Sequence, residues 1–257
     1  MPHWTKKFFI DEEKYWHALM DAGWKQAPAQ ARAIAKILKR NGIKHGQVLE
    51  LCCGNGRIST NLAKQGYRVT GIDLSPAYIE DAKKRARKIG VRPEYVCGDV
   101  RRFNRLVKGK FDAVYTIWTA IGYYDRKTDE RIFKMVARRL YKNGLFMILQ
   151  TMSREWLLNH YCHAIYDETD KYLILHRGKF DRIHSQNIEH WYFYEKRGKD
   201  LKFVTDMELP LRIYSQHEIT EMAEGAGLKF TAAFNNLLLL NPPDPVTPQI
   251  NMVFQKP

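Results

Sequence analysis

One stretch constrains this chain more than any other: Val48-Leu49-Glu50-Leu51-Cys52-Cys53-Gly54-Asn55-Gly56-Arg57-Ile58-Ser59. An apolar run enters it, two glycines separated by one residue turn it, and a helical pattern leaves it. That reads as a strand, a tight turn and a helix start, the arrangement in which backbone comes close to a ligand. Seventeen positions after Gly56 a second apolar strand, Tyr67 to Ile72, has ended in Asp73. An acid at that point can accept hydrogen bonds from both hydroxyls of a ribose. The Gly-x-Gly turn alone equally suits an ordinary tight turn; joined to the acid after the next strand, it favours nucleoside binding.

The dinucleotide fingerprint is the rival reading, but here the pattern is Gly54-x-Gly56-x-x-Ser59, with a hydroxyl at the third small position. Further strands follow in order. Val91 to Val96 leads to Cys97-Gly98-Asp99-Val100, Phe111 to Trp118 is a fourth strand, and a helix from about Asp129 to Leu140 precedes Asn143-Gly144 and a fifth strand, Leu145 to Gln150. This succession resembles the class I S-adenosylmethionine-dependent methyltransferases over roughly Gly42 to Gln150 and again in the last forty or so residues. That family's first motif is an acid followed by three alternating glycines. The chain supplies Glu50, Gly54 and Gly56, with Cys52 in place of the first glycine. The resemblance implies S-adenosylmethionine as cofactor. It makes Asp73 the ribose acid and Asp99 the acid beside the adenine amino group, with Leu74, Val100, Ile117 and Trp118 as further cofactor contacts. The implied fold is α/β: a doubly wound, Rossmann-like seven-stranded sheet with a terminal antiparallel hairpin, plus an inserted antiparallel β cover.

The hydrophobic fraction of 45% suits a globular core. No apolar stretch approaches the roughly 20 residues that span a bilayer, and no signal peptide follows Met1-Pro2-His3-Trp4. Cys52, Cys53, Cys97 and Cys162 lack zinc spacing and read as reduced thiols of a cytoplasmic protein. Net charge is +14. The excess lies before residue 151, with 30 Lys and Arg against 14 Asp and Glu, and is densest between Lys83 and Lys110. A basic face for RNA is one reading. A solvated helix surface is the other, and it is preferred because charge runs usually face water. Lys84, Arg85 and Lys88 are then expected to be remote from the chemistry.

Four segments are expected. Residues 1–41 hold two helical patterns, Asp11 to about Asp21 and Pro28 to Arg40; by the resemblance they border the active site, and Tyr15, Trp16, Leu19 and Trp24 equally suit aromatics that simply cover the sheet. Residues 42–150 form the cofactor-binding core. Residues 151–215 hold a helix, Ser153 to about Ala164, then strands Lys171–His176, Ile188–Lys196 and Leu201–Leu209, and look like the substrate cover of small-molecule methyltransferases. Residues 216–257 return to the core sheet through a helix capped by Ser215 and Glu218, then strands Phe230–Phe234 and Ile250–Phe254. The cover is rich in aromatics, among them Trp156, Tyr161, Tyr172, Trp191, Phe193 and Tyr214. Most are expected to pack and two or three to line a closed pocket facing Tyr123 and Tyr124.

Asn241-Pro242-Pro243-Asp244 superficially matches an amine-methylating signature, but it sits in the last hairpin and reads as a proline-rich turn. His160 and His163 are three apart on a helical pattern, and no further ligand accompanies them, so no metal is expected. The resemblance places acceptor-facing residues after the fourth strand, in Trp118 to Asp125, with Tyr123 or Tyr124 to polarise or line; His160 is a candidate base. Cys52 is expected at negative φ with a buried, unreactive thiol. The function expected is methyl transfer to a small-molecule acceptor at nitrogen or oxygen. Alternatives are an RNA or protein methyltransferase using the basic face, a non-catalytic nucleoside-binding regulator and, more remotely, an NAD oxidoreductase.

Overall fold

The computed structural model describes residues 3–118, 120–244 and 248–257. Strands β1 (Gln47–Leu51), β2 (Arg68–Asp73), β3 (Glu94–Cys97), β4 (Phe111–Ile117) and β5 (Leu140–Met152) come first. Next are β6 (Ala164–Glu168), β7 (Tyr172–Asp181), β8 (Gln186–Arg197) and β9 (Asp200–Arg212), then β10 (Lys229–Phe234) and β11 (Gln249–Gln255). One seven-stranded sheet runs in the order β10-β11-β5-β4-β1-β2-β3, and a four-stranded sheet runs β6-β7-β8-β9. In the first sheet β1 to β5 pair in parallel, while β11 is antiparallel to both β5 and β10. The expected α/β architecture, its terminal hairpin and its antiparallel cover are therefore present.

Alternation along the strands explains the layering. Val48, Ala113, Tyr115, Leu145 and Met147 pack with helices Ala27–Arg40 and Arg57–Ala63. Their neighbours Leu49, Val114, Phe146 and Phe254 pack with helices Arg126–Arg139 and Gln216–Glu224. Successive strand residues point to opposite faces, so a sheet covered on both sides reads as a near-continuous apolar run. The strand order reverses between β1 and β4, and an open α/β sheet binds ligands at the carboxyl ends of its strands at such a switch point.

Several boundaries differ from the sequence reading. β3 starts at Glu94 because Pro93 cannot donate to a ladder. The helix after Ser153 stops at Asn159, and β6 begins where it was expected to run out. Every residue of β6 is exposed, so this edge strand carries no burial alternation for a sequence to display. The first helical pattern, Glu13–Ala22, is preceded by a turn at Trp4–Lys6 and a π-helical turn at Lys7–Asp11. Residues 119 and 245–247 lie outside the described residues, so the expected acceptor-facing stretch is interrupted at Thr119.

The cover is glued to the N-terminal segment. Phe8, Tyr15 and Met20 form one buried cluster with Tyr172, Trp191, Phe193 and Met207. Tyr15 meets Tyr172 at 5.2 Å and Phe193 at 5.0 Å between ring centroids. The Ser215–Glu218 capping box is formed. Beneath the loop after β4, the buried Asp129 accepts from the Tyr214 hydroxyl at 2.8 Å.

Candidate active site

Near the carboxyl ends of β1, β4 and β5 the backbone turns left-handed at Cys52 (φ 56°), Trp118 (φ 65°) and Gln150 (φ 50°). None is glycine, so each costs on the order of 1–2 kcal/mol. Strain of this kind clusters where a structure shapes a ligand site. The negative φ expected at Cys52 is thus corrected. The chain must reverse there so that Cys53 N–H can reach Ile72 O at 3.0 Å and close the turn through Gly56 N–H to Cys53 O, also at 3.0 Å. Burial, followed by the nearby Asp73 carboxylate, pushes the Cys52 thiol well above its usual pKa. A thiol reagent is expected to label Cys52 slowly in the cofactor-bound protein; rapid labelling would contradict this placement.

A first chamber opens over this turn. Its floor includes Cys52, Gly54, Asp73, Leu74, Val100 and Ile117. Asp73 shapes as well as lines it, accepting from Gly54 N–H at 2.8 Å and Ser75 N–H at 3.0 Å. Burial raises its carboxyl pKa against those two bonds, and each oxygen keeps acceptor capacity. Glu50 accepts from the Tyr115 hydroxyl at 2.8 Å and from the Ser59 hydroxyl, and burial pushes it up to about 7. Gly56 does not line the chamber. It sits at φ 70°, where an added Cβ would lie 2.4 Å from the Tyr95 hydroxyl, so it permits the turn to pack. Asp99 is also outside the lining, between Gly98 and Val100, which are in it. Burial alone would raise its carboxyl; bonds from Arg101 outweigh that and hold it below the usual range.

Two residues that sequence reasoning passed over complete this chamber. Asn55 is fully buried, donates to Asp21 at 3.1 Å, and its side-chain oxygen has no partner. Arg57 is buried, stacks on the Trp118 ring at 4.1 Å and donates to Gln30 at 2.5 Å. It makes no ion pair among the described residues, and burial draws its pKa down to about 10. A charged residue on the first turn after a Gly-x-Gly loop, followed by the apolar Ile58 and Leu62 that bury this helix, was the available signal.

The N-terminal segment roofs the first chamber with Thr5, Phe9, Trp16 and Met20, and Tyr123 and Tyr124 close its side. Trp4 meets Tyr123 edge-on at 5.3 Å, and Arg101 lies 4.5 Å over the Tyr124 ring. The expectation that the cover faces Tyr123 and Tyr124 is therefore corrected: no cover residue is in this lining. The cover's inward aromatics pack instead on the N-terminal helices, which reach the chamber first.

The cover forms a second chamber of about 510 Å³. Trp16 and Trp118 line both chambers, their rings edge to face at 6.4 Å. The far walls carry Trp156, Trp191, Asp167, Glu189, Asn187 and Leu209. A chain of amides joins the chambers at the base: Gln30 Nε2 donates to Gln150 Oε1 at 2.7 Å, and Gln150 Nε2 to Gln249 Oε1 at 3.4 Å. His160 lines neither chamber; it is exposed, stacked on Trp156 at 4.7 Å, with Nδ1 3.0 Å from Trp156 O.

Arg85 departs from the expected solvated charge. It bonds Asp21 at 2.6 Å and Asp81 at 2.7 Å and lies 5.0 Å over the Trp24 ring, strapping the N-terminal roof to helix Pro76–Ile89. His17, Asp21 and Asp81 bring ligand-type atoms within 4.8 Å of one another, but Arg85 occupies both carboxylates, which suits an ion-pair cluster. Arg85→Glu is expected to weaken adenosylmethionine binding by roughly 3- to 10-fold, while Lys84→Glu and Lys88→Glu, at exposed positions, leave it unchanged. Equal effects from all three, measured by calorimetry, would remove the strap.

Comparison with known proteins agrees with this geometry. Residues 48–144 match the model of a methyltransferase domain. A ubiquinone biosynthesis O-methyltransferase of Erwinia tasmaniensis is 29% identical over 121 residues, 46% of this chain and 48% of that one. The chain spans about half the length of the curated relatives it matches. A crystal structure of an S-adenosylmethionine-dependent methyltransferase from Clostridium acetobutylicum superimposes with a TM-score of 0.78 at 19% identity, covering 90% of this chain and 92% of that one. DesVI of Streptomyces venezuelae gives 0.73 at 17% identity, covering 97% and 100%. Residues 48–144 thus match a methyltransferase domain, and the chain as a whole shares the fold of these solved methyltransferase structures.

Proposed function

We propose that the protein transfers a methyl group from S-adenosylmethionine to a small-molecule acceptor, at nitrogen or oxygen. The observation that carries this reading is the pair of chambers meeting at Trp16 and Trp118, one built over the Gly54–Gly56 turn and one under the cover. The first suits the cofactor by the chemistry of its donors. Asp73 offers acceptor capacity for ribose hydroxyls. The orphaned Asn55 oxygen and the Arg57 guanidinium, two residues apart on the turn, suit the ammonium and carboxylate of an amino-acid tail. Leu74, Val100 and Ile117 suit a base.

When bound, the cofactor supplies an activated methyl on a sulfonium. What remains for the protein is alignment and exclusion of water. Trp16 and Trp118 wall the junction and Tyr123 the first chamber with aromatic faces, which tolerate a sulfonium charge while keeping water out. Residues 1–41 act as the roof and 151–215 as the acceptor cover around a core of 42–150 and 216–257. All four cysteines are free, which supports a reducing, cytoplasmic setting. No described helix is long and apolar enough to cross a membrane.

The test is methyl transfer from labelled adenosylmethionine into three pools: small metabolites, RNA and protein. Label in the metabolite pool is expected. Label confined to RNA or protein would replace the small-molecule reading.

A further inference from the structure

We propose that the second chamber receives its acceptor as a small amine, held as a cation by Glu189 and Asp167 between tryptophan faces, so that the methyl group goes to nitrogen. This rests on that chamber being the acceptor side of the methyl-transfer site proposed above.

The charge of the chamber runs against that of the chain. The protein carries a net +14, yet the only charged side chains in the described lining of this chamber are Asp167 and Glu189. Four of the six tryptophans, Trp16, Trp118, Trp156 and Trp191, line it with them. Aromatic faces and carboxylates around one cavity both attract a cation and both repel an anion.

Glu189 is fixed for this task. Asn187 Nδ2 donates to one of its oxygens at 2.7 Å and Trp191 Nε1 to the other at 2.6 Å. Each oxygen can accept one bond more, and the side chain is 21% exposed. Behind the pair lies His176, 4% exposed, its ring 4.0 Å from that of Trp191. Its Nε2 is 3.3 Å from Asp167 Oδ2 but forms no hydrogen bond, and its Nδ1 is 3.7 Å from Glu189 Oε2. The two carboxylates thus flank a buried imidazole with a vacant nitrogen, beside Trp191, whose ring also meets Trp16 at 5.5 Å.

The chemistry selects nitrogen over oxygen. A protonated amine donates N–H to the carboxylates, then loses one proton to the Asp167–His176–Glu189 group or to water. Its freed lone pair forms the N–C bond while the C–S electron pair returns to sulfur. The products are an N-methylammonium, the neutral thioether and the released proton, so charge and atoms balance. A hydroxyl acceptor would instead develop negative charge beside two carboxylates, which disfavours its ionisation.

The test uses the full chain, labelled adenosylmethionine and a small-metabolite extract split on a cation exchanger. Label is expected in the retained fraction, on nitrogen by fragmentation. Glu189→Gln and the more exposed Asp167→Asn are each expected to raise KM for that acceptor about 10- to 100-fold, the loss of a charge-assisted bond. Adenosylmethionine affinity should be unchanged in both variants, and the melting temperature unchanged in Asp167→Asn, whose side chain lies largely exposed. Label in the unretained fraction, label on oxygen, label in neither fraction with adenosylmethionine bound, or an unchanged KM in both variants would overturn the proposal. Failure to bind adenosylmethionine would instead overturn the methyl-transfer reading beneath it.

Discussion

Gly122→Ala is expected to destabilise the protein by roughly 2–5 kcal/mol, the sum of a non-glycine residue at positive φ and an overpacked contact. Gly122 sits at φ 90°, and a Cβ there would lie 2.0 Å from the carbonyl oxygen of Arg212. That neighbour is backbone and cannot swing away. Arg212 N–H also donates to Gly122 O at 2.9 Å, so the loop after β4 and the end of β9 are stitched at this point. Separating them would shift Tyr123 and Tyr124 at one end and the acceptor cover at the other. Chemical denaturation measures the effect. A variant unfolding at the same denaturant concentration as the parent would show that loop and cover are not joined here.

Asp73→Ala is expected to weaken adenosylmethionine binding by roughly 1–3 kcal/mol, about 5- to 150-fold, the range for hydrogen bonds to a charged partner. The upper end is favoured because Asp73 also holds the Gly54 and Ser75 N–H groups, so its loss slackens the turn under the ligand. Asp73→Asn keeps one acceptor oxygen and should fall between the two. Calorimetry on folded variants decides it, and unchanged affinity would remove the ribose assignment.

The core sheet was legible because its strands are short apolar runs closed by Gly54, Asp73 and Asp99, each at or just beyond a strand end. The same logic located the chamber floor, since a tight turn and an acid at a strand end are local features. What could not be read was anything set by distant chain. Cys52 looked free to keep a negative φ until Ile72 claimed the next N–H. Arg85 looked like one more solvated charge in a basic run until Asp21, 64 residues away, met it. Glu189 read as an ordinary strand acid and Asp167 as a residue of the connection before the first cover strand, and only the pairing of β6, β7 and β8 around His176 brings both to one chamber. The cover's aromatics were visible as a composition, but which of them face a cavity depended on the N-terminal helices arriving first.

The measurement that tests this account most directly is calorimetric titration of the protein with S-adenosylmethionine, its demethylated product and NAD. One site per chain is expected for the first two, weakened together in Asp73→Ala and again together in Arg57→Ala, with no heat from NAD. Binding of NAD in preference to both, or binding of adenosylmethionine that ignores Asp73 and Arg57, would contradict the assignment of the first chamber.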